Sequence, residues 1–126
     1  MLNGSCVCGS VRFELGATPT GPTACHCVQC RKQSGHFFAS ANVAKDAMKL
    51  LASGTLRWYQ SSPKVRRGFC SVCGSWLFWE PVERDWTSVA LGAIDGDTGL
   101  HLERHIFVAE KGDYYDLADG LPQNEH

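Results

Sequence analysis

The chain has 126 residues, of which 44% are hydrophobic and 20% are charged, and a formal net charge of -1. This composition is typical of a globular protein and argues against a disordered one. The near-neutral charge argues against nucleic acid as a partner, and no stretch reaches the roughly 20 apolar residues that span a membrane. The N-terminus has no basic leader followed by an apolar run, which favours a cytoplasmic location. No repeat or low-complexity linker divides residues 1–126, so we expect a single domain.

The predicted elements are short strands separated by turn signals. Alternation of apolar and polar residues predicts the first strand at 11–15, an aromatic and small-residue run predicts another at 36–43, and one helical turn is expected within 44–51. Glycine and proline turn signals separate further predicted strands at 56–60, 65–69, 76–79, 86–94 and 100–109. Regular short strands of this kind predict an all-β (mainly β) domain.

Seven cysteines lie in three tight clusters. The clusters are Cys6 and Cys8, then Cys25, Cys27 and Cys30, then Cys70 and Cys73. An odd number of cysteines at these short spacings favours metal ligation over a disulfide framework. Structural zinc is closed by four protein ligands, whereas catalytic zinc typically keeps three and leaves a position for water or substrate. The count therefore predicts one closed site and one open site.

The spacing of Cys70 and Cys73 lets one tight turn present both sulfurs to a single zinc ion. Cys6 and Cys8 can supply the other half, which predicts a structural site of these four cysteines. Two alternatives stay open: Cys6 and Cys8 are buried as small apolar residues, or they share an ion with members of the middle cluster.

The middle cluster is denser, and we expect a small loop to gather its three sulfurs on one face. His26 stands between two ligating residues, so its ring is not expected to reach the same ion. A histidine from elsewhere could close the site as a fourth ligand. The candidates are His36, His101 and His105.

Five cations flank the middle and last clusters. They are Arg31, Lys32, Lys64, Arg66 and Arg67. Such a concentration of positive charge could receive an anionic substrate, and it could equally offset the negative charge of the thiolates.

Four segments together carry a resemblance to a known family: SCVCGSVRFE, CHCVQCRKQSG, RGFCSVCGS and HIFVAEKGDYYDLADGLPQ. The chain resembles, over nearly its whole length, the glutathione-dependent formaldehyde-activating enzyme family, which is also grouped with centromere protein V-like proteins. The resemblance implies a β-tent (Mss4-like) fold, in which small antiparallel sheets are stapled by two zinc ions. It also implies the ligand sets: Cys6, Cys8, Cys70 and Cys73 for a structural zinc, and Cys25, Cys27 and Cys30 for a catalytic zinc.

The activity that the resemblance implies is the reversible condensation of formaldehyde with glutathione, classed as a carbon-sulfur lyase reaction. The partners would be a small thiol such as glutathione and a small aldehyde. Arg31, Lys32 and Arg67 match basic positions of the family pattern and are candidates for substrate binding. The alternative is a non-catalytic zinc scaffold that binds a protein partner.

An all-sulfur ligand set also bears on the type of reaction. Three thiolates leave zinc a weaker Lewis acid than three histidines do, so the site favours activation of a thiol over hydrolysis. The resulting thiolate is the nucleophile that attacks the aldehyde. The developing alkoxide needs a proton, and the candidates to supply it are His26, His36 and a zinc-bound water.

Overall fold

Ten short strands, one α-helix and three 3-10 turns make up the chain, and a computed structural model describes all 126 residues. In chain order the strands and the helix are β1 Leu2–Ser5, β2 Arg12–Leu15, β3 Thr20–Cys25, α1 Val28–Ser34, β4 Phe38–Ala44, β5 Met48–Ala52, β6 Leu56–Ser62, β7 Val65–Cys70, β8 Trp76–Pro81, β9 Trp86–Ala90 and β10 Arg104–Ile106. The 3-10 turns are Lys45–Ala47, Leu91–Ala93 and Val108–Glu110.

The strands form a small sheet and a large one. The small sheet has the order β1-β2-β5, and the large sheet has the order β10-β3-β4-β9-β8-β7-β6. Only β10 and β3 pair in parallel, while every other pair is antiparallel. The fold is therefore mainly β, with small sheets, which confirms the all-β prediction. None of the helices has the length and apolar character that crossing a membrane requires.

The main core draws buried side chains from both sheets. Phe13 of β2 meets Phe78 of β8 edge to face, with their ring centroids 5.2 Å apart. Gly4 of β1 faces the Phe13 ring so closely that a Cβ atom there would lie 2.1 Å from a ring carbon. Close approach of two strands over an aromatic ring thus requires glycine at this position.

Most of the predicted strands are present, with ends that differ by one to a few residues. The helical turn expected within 44–51 is the 3-10 turn Lys45–Ala47. Two predicted strands are too long. The strand expected at 86–94 ends at Ala90, where the 3-10 turn Leu91–Ala93 begins. The strand expected at 100–109 is only Arg104–Ile106 because Phe107 adopts a left-handed backbone conformation with a φ of 54°.

Sequence patterns missed β1, β3, β5 and α1. Strand β3 contains Gly21 and Pro22, which are usual turn residues, and its register with β4 shifts at that point. The helix stands where a loop is expected from the cysteine spacing, so that expectation is wrong. Its first turn forms because the Cys27 side chain acts as the N-cap, and Gly35 ends it with a φ of 84°.

Candidate metal centres and an adjoining cavity

The first cysteine cluster brings together sulfurs from both halves of the chain. Its members are Cys6, Cys8, Cys70 and Cys73, whose Sγ atoms all lie within 4.8 Å of one another. Two of the separations are 3.6 Å, for Cys6 and Cys8, and 3.8 Å, for Cys8 and Cys70. Four sulfurs at about 2.3 Å from a tetrahedral zinc lie about 3.8 Å apart, so this spacing fits one metal ion. All seven cysteines are free thiols.

Two tight turns build the first cluster. Gly9 and Gly74 follow the two cysteine pairs with φ angles of 78° and 79°, a conformation that favours glycine. Each turn is closed by a backbone bond to the first cysteine of its pair, Gly9 N to Cys6 O at 3.1 Å and Gly74 N to Cys70 O at 2.8 Å. The structure thus places Cys6 and Cys8 with the last cluster and not with the middle one.

Hydrogen-bond donors contact three of the four sulfurs of the first cluster. The amide of Val11 donates to Cys6 Sγ at 3.3 Å. The Ser75 hydroxyl, 3.2 Å from Cys73 Sγ, is the main reason that the pKa of Cys73 is lowered to about 5. The Thr55 hydroxyl likewise lowers the pKa of Cys70. Two of the four groups are therefore biased toward the thiolate form that binds metal.

The second cluster is built where a strand passes into the helix. Cys25 is the last residue of β3, Cys27 caps α1, and Cys30 lies buried in the first turn of α1. Their sulfurs lie within 4.8 Å of one another, and the amide of Cys30 donates to Cys27 Sγ at 3.4 Å. The pKa of Cys27 lies well below its usual range. Hydrogen bonds with the Cys25 and Cys30 thiols are the main cause, and the Cys30 amide and the charge of Arg67 add to the effect. The hydrogen bond between Cys25 and Cys27 is the main reason that the pKa of Cys25 is raised to about 11.

No histidine joins the second cluster as a fourth ligand. His36 lies 3.0 Å from the Tyr114 hydroxyl, and His101 is exposed. The two ring nitrogens of His105 contact His26 and Asp119. The three candidates for closing the site are therefore not in place, and the three sulfurs stand alone.

The buried ring of His26 belongs to a chain of hydrogen bonds with Tyr115, His105 and Asp119. Its Nε2 lies 2.9 Å from Nδ1 of His105, whose Nε2 lies 2.7 Å from a carboxylate oxygen of Asp119. With Asp119 accepting from His105, neutral rings satisfy every group when His26 donates to His105 and the Tyr115 hydroxyl donates to Nδ1 of His26. Burial is the main reason that the pKa of His26 is lowered to about 4, which agrees with a neutral ring.

His105, Tyr115 and Asp119 lie in a C-terminal segment that carries the family resemblance, but sequence patterns did not indicate that this segment contacts His26. Tyr115 is 89 positions from His26, and Asp119 comes from the same C-terminal segment. Neither residue matches a short motif with a known mechanism. Only the topology, which runs β10 beside β3, brings the segment to the cysteines.

A cavity of about 570 Å³ opens onto the second cluster, a size within the usual range of ligand pockets, about 300–1,000 Å³. The three cysteines line it together with apolar side chains and several hydroxyl and amide groups. The apolar lining is Val28, Phe38, Val65, Trp79, Trp86, Ile106 and Phe107. The polar lining includes Thr23, Gln29, Ser40, Asn42, Ser61, Ser62 and Ser88. Small molecules can therefore reach the three sulfurs from one side.

Among the cations that flank the cysteines in the sequence, only Arg67 lines this cavity. Arg31 donates instead to the carbonyl oxygen of Glu110 at 2.9 Å, and Lys32 is exposed. Arg66 is paired with Glu80 at 2.6 Å. Arg104 is a second lining cation, which sequence patterns did not single out.

Comparisons with known proteins agree with the sequence motifs. A model of the family described as "Glutathione-dependent formaldehyde-activating enzyme" matches residues 1–110. A protein of Halomonas elongata named "Putative glutathione-dependent formaldehyde-activating enzyme" is 33% identical over 132 aligned residues, which cover 93% of this chain and 81% of that protein. A crystal structure of a Rhodobacter sphaeroides protein is similar in fold, with a TM-score of 0.63 at 22% identity over 75% of this chain and 89% of that one. The chain belongs to the glutathione-dependent formaldehyde-activating enzyme family.

Proposed function

We propose that the chain is a zinc-dependent carbon-sulfur lyase that adds a small thiol, glutathione or a similar one, to formaldehyde or another small aldehyde and catalyses the reverse cleavage. The observation that carries the proposal is the second cluster, in which three sulfurs have no fourth protein ligand and face a cavity. Family membership supports glutathione and formaldehyde as the reactants.

Each cluster would hold its own metal ion. Cys6, Cys8, Cys70 and Cys73 would hold a structural zinc, and Cys25, Cys27 and Cys30 would hold a catalytic one, which gives two ions per chain. Sets of sulfur ligands suit zinc, and sites with three protein ligands are typical of catalysis. When bound, the second ion would supply an open position at which a substrate thiol loses its proton at neutral pH.

The chain's own residues confine and orient the reactants. Aromatic walls formed by Phe38, Trp79 and Trp86 exclude part of the surrounding water and favour the neutral aldehyde. The thiolate attacks the carbonyl carbon, the new carbon-sulfur bond forms, and the electron pair of the carbonyl moves to its oxygen. His26 and His36, the expected proton donors, do not line the cavity, so we assign the proton of the product hydroxyl to water.

The enzyme hypothesis is favoured over the scaffold alternative by the same cavity. A non-catalytic scaffold is expected to have two closed metal sites, each with four protein ligands. The three-sulfur cluster has no fourth protein ligand and lines a cavity instead.

Exchange spectroscopy by NMR tests the proposed reaction. Zinc-loaded protein is expected to accelerate exchange between free formaldehyde and its glutathione adduct, whereas Cys30→Ser should exchange at the buffer rate. Two small thiols without carboxylates, run in parallel, would separate thiol chemistry from glutathione specificity. Hydrolysis of esters by the loaded protein, together with no thiol-dependent change in any aldehyde, would contradict the proposal.

A further inference from the structure

Arg67 is a buried cation without an acidic partner. Only 4% of its surface is exposed, and it takes part in none of the ion pairs of the chain. A guanidinium carries its positive charge in a protein, and removing an unpaired charge from water is strongly unfavourable. The location of Arg67 therefore calls for a negative charge close by.

The contacts of Arg67 place it against the second cluster. Its two terminal nitrogens donate to the side chains of Gln29, at 2.7 Å, and Gln33, at 3.2 Å, which lie one helical turn apart on α1. One of these nitrogens is also 3.9 Å from Cys30 Sγ. Since both glutamines are neutral, the sulfurs of the cluster are the only source of negative charge among these contacts.

One nitrogen of the Arg67 side chain has no hydrogen-bond partner. Its Nε is the only buried side-chain nitrogen or oxygen in the protein without a partner. The guanidinium also lies over the Trp76 ring, 5.1 Å from its centre. Neutral groups thus fix the position of the charge without neutralising it.

The net charge of the second cluster with a divalent metal bound follows from its ligands. Three thiolates and a divalent metal would carry a net charge of about -1. A thiolate as fourth ligand would raise this to about -2, facing a partly apolar cavity, and the guanidinium of Arg67 would reduce it again by one. A neutral fourth ligand such as water adds no charge, so its binding depends less on Arg67.

We infer that Arg67 is the counter-ion that lets the three-cysteine site take a thiolate as its fourth ligand, which makes it a positioning residue for the nucleophile. This inference rests on the proposed function, because it concerns the binding of the substrate thiol. It differs from a role in holding a carboxylate of glutathione. A carboxylate would have to compete with Gln29 and Gln33 for the terminal nitrogens of Arg67. Arg104, which is exposed on the same cavity, is free for such a contact.

The test uses full-length protein loaded with Co²⁺, whose sulfur-to-metal absorption reports a new thiolate ligand. 2-Mercaptoethanol is the probe, because it carries no carboxylate, and glutathione is titrated in parallel. Arg67→Gln is expected to weaken binding of 2-mercaptoethanol by at least about tenfold, as for a buried charge that loses its partner. Arg67→Lys, which keeps the charge but loses the forked contact with the two glutamines, should weaken binding less than Arg67→Gln does.

Two further variants guard against misfolding and against general charge effects. Gln29→Glu is isosteric, keeps the bond to Arg67 and neutralises it in place, so it should also weaken 2-mercaptoethanol binding. Arg104→Gln removes the same charge from elsewhere on the cavity and should leave the affinity for 2-mercaptoethanol unchanged. Cobalt content and the absorption of the first cluster are measured for every variant.

The outcomes separate the inference from the proposed function. Equal 2-mercaptoethanol affinity in Arg67→Gln, Gln29→Glu and the unaltered protein would overturn the inference and leave the proposed function standing. Loss of glutathione binding alone in Arg67→Gln would also overturn it, because Arg67 would then be a carboxylate contact. If neither thiol changed the spectrum of the unaltered protein, the inference and the proposed function would both fail.

Discussion

Gly4 is the residue at which the packing between strands leaves no room for a side chain. It pairs with Phe13 across β1 and β2, and an added Cβ would sit 2.1 Å from the Phe13 ring. Phe13 is fully buried and contacts Phe78, so its ring cannot move without disturbing the core. Gly4→Ala is expected to lower the free energy of unfolding by about 1–3 kcal/mol through overpacking. Urea denaturation followed by tryptophan fluorescence measures this change.

Gly54→Ala is the matched control for that prediction. Nothing lies within 4 Å of a Cβ atom built at Gly54, and its φ is not positive. We expect its free energy of unfolding to change by no more than about 0.5 kcal/mol. Equal losses in the two variants would show that glycine flexibility, and not contact with Phe13, sets the effect.

Asp119 makes a pH-dependent contribution to stability. The hydrogen bond from His105 lowers the pKa of its carboxyl below the ordinary value, which is about 3.9. Because the native pKa is the lower one, the contribution is fully present above the ordinary pKa and is lost as the pH falls through the native value. Its side chain is 44% exposed, so solvent screens the effect.

Asp119→Asn checks this pH dependence. The stability difference between the unaltered protein and the variant should be constant from neutral pH down to about pH 5 and should shrink as the carboxylate is protonated at lower pH. Thermal denaturation across the acidic range measures the difference. A gap that widens toward low pH would contradict the assigned direction of the pKa shift.

At the scale of elements, the C-terminal segment supports the turn that carries the second cluster. Tyr115 and Asp119 terminate a chain of bonds through His26 and His105. Tyr115→Phe removes the donor to the fully buried ring of His26, at a cost of about 1–3 kcal/mol for the unsatisfied nitrogen. We expect metal affinity at the second cluster to fall by about tenfold, at the low end for residues that orient metal ligands. Cobalt titration distinguishes the two clusters through their separate absorption changes.

Tyr114→Phe provides the control within the same segment. It also removes a hydroxyl bonded to a histidine, but Tyr114 is 59% exposed and its partner is His36. Water can replace this bond, so metal binding at both clusters should be unchanged. A matching loss in the two variants would point to a general disturbance of the segment.

The elements that sequence patterns identify are those whose own residues set their conformation. Alternating side chains specify β2, and paired aromatic strands with turn signals specify β6 to β9. Strand β3 contains Gly21 and Pro22, which form a strand only because β4 and β10 pair with it. Helix α1 has seven residues, too few for a helical period to stand out, and its N-cap is an unusual one, the Cys27 sulfur.

At the scale of the whole molecule, the division of seven cysteines into four and three follows from spacing and count, and the structure groups them in the same way. The surroundings of the second cluster do not follow from spacing. Arg67 is on β7 and Gln29 on α1, 38 positions apart, and only the packing of the helix against the large sheet brings them into contact. The cysteine pairs and the three-cysteine cluster could be predicted because each is a short motif, whereas the groups around them depend on topology.

The first cluster connects the two sheets. Cys6 follows β1 of the small sheet and Cys70 ends β7 of the large one, and the contact between Cys8 and Cys70 spans 62 positions. An ion held there closes a long loop, and its binding free energy, about 10–16 kcal/mol for zinc in small peptides, adds to folding. The second cluster lies within six residues of the sequence, so an ion there closes no long loop. Removal of one ligand from each cluster should therefore affect stability very unequally.

Cys73→Ser and Cys30→Ser form the pair that tests this asymmetry. Each variant is expected to hold one zinc ion per chain, against the two expected for the unaltered protein, as measured by mass spectrometry of the metal content. Cys73→Ser should lower the Tm by about 10 °C or more, the shift expected for a loss of about 3 kcal/mol at this chain length. Cys30→Ser should lower it by only a few degrees, on the order of 1 kcal/mol. A larger loss in Cys30→Ser would mean that the second cluster, and not the first, holds the sheets together.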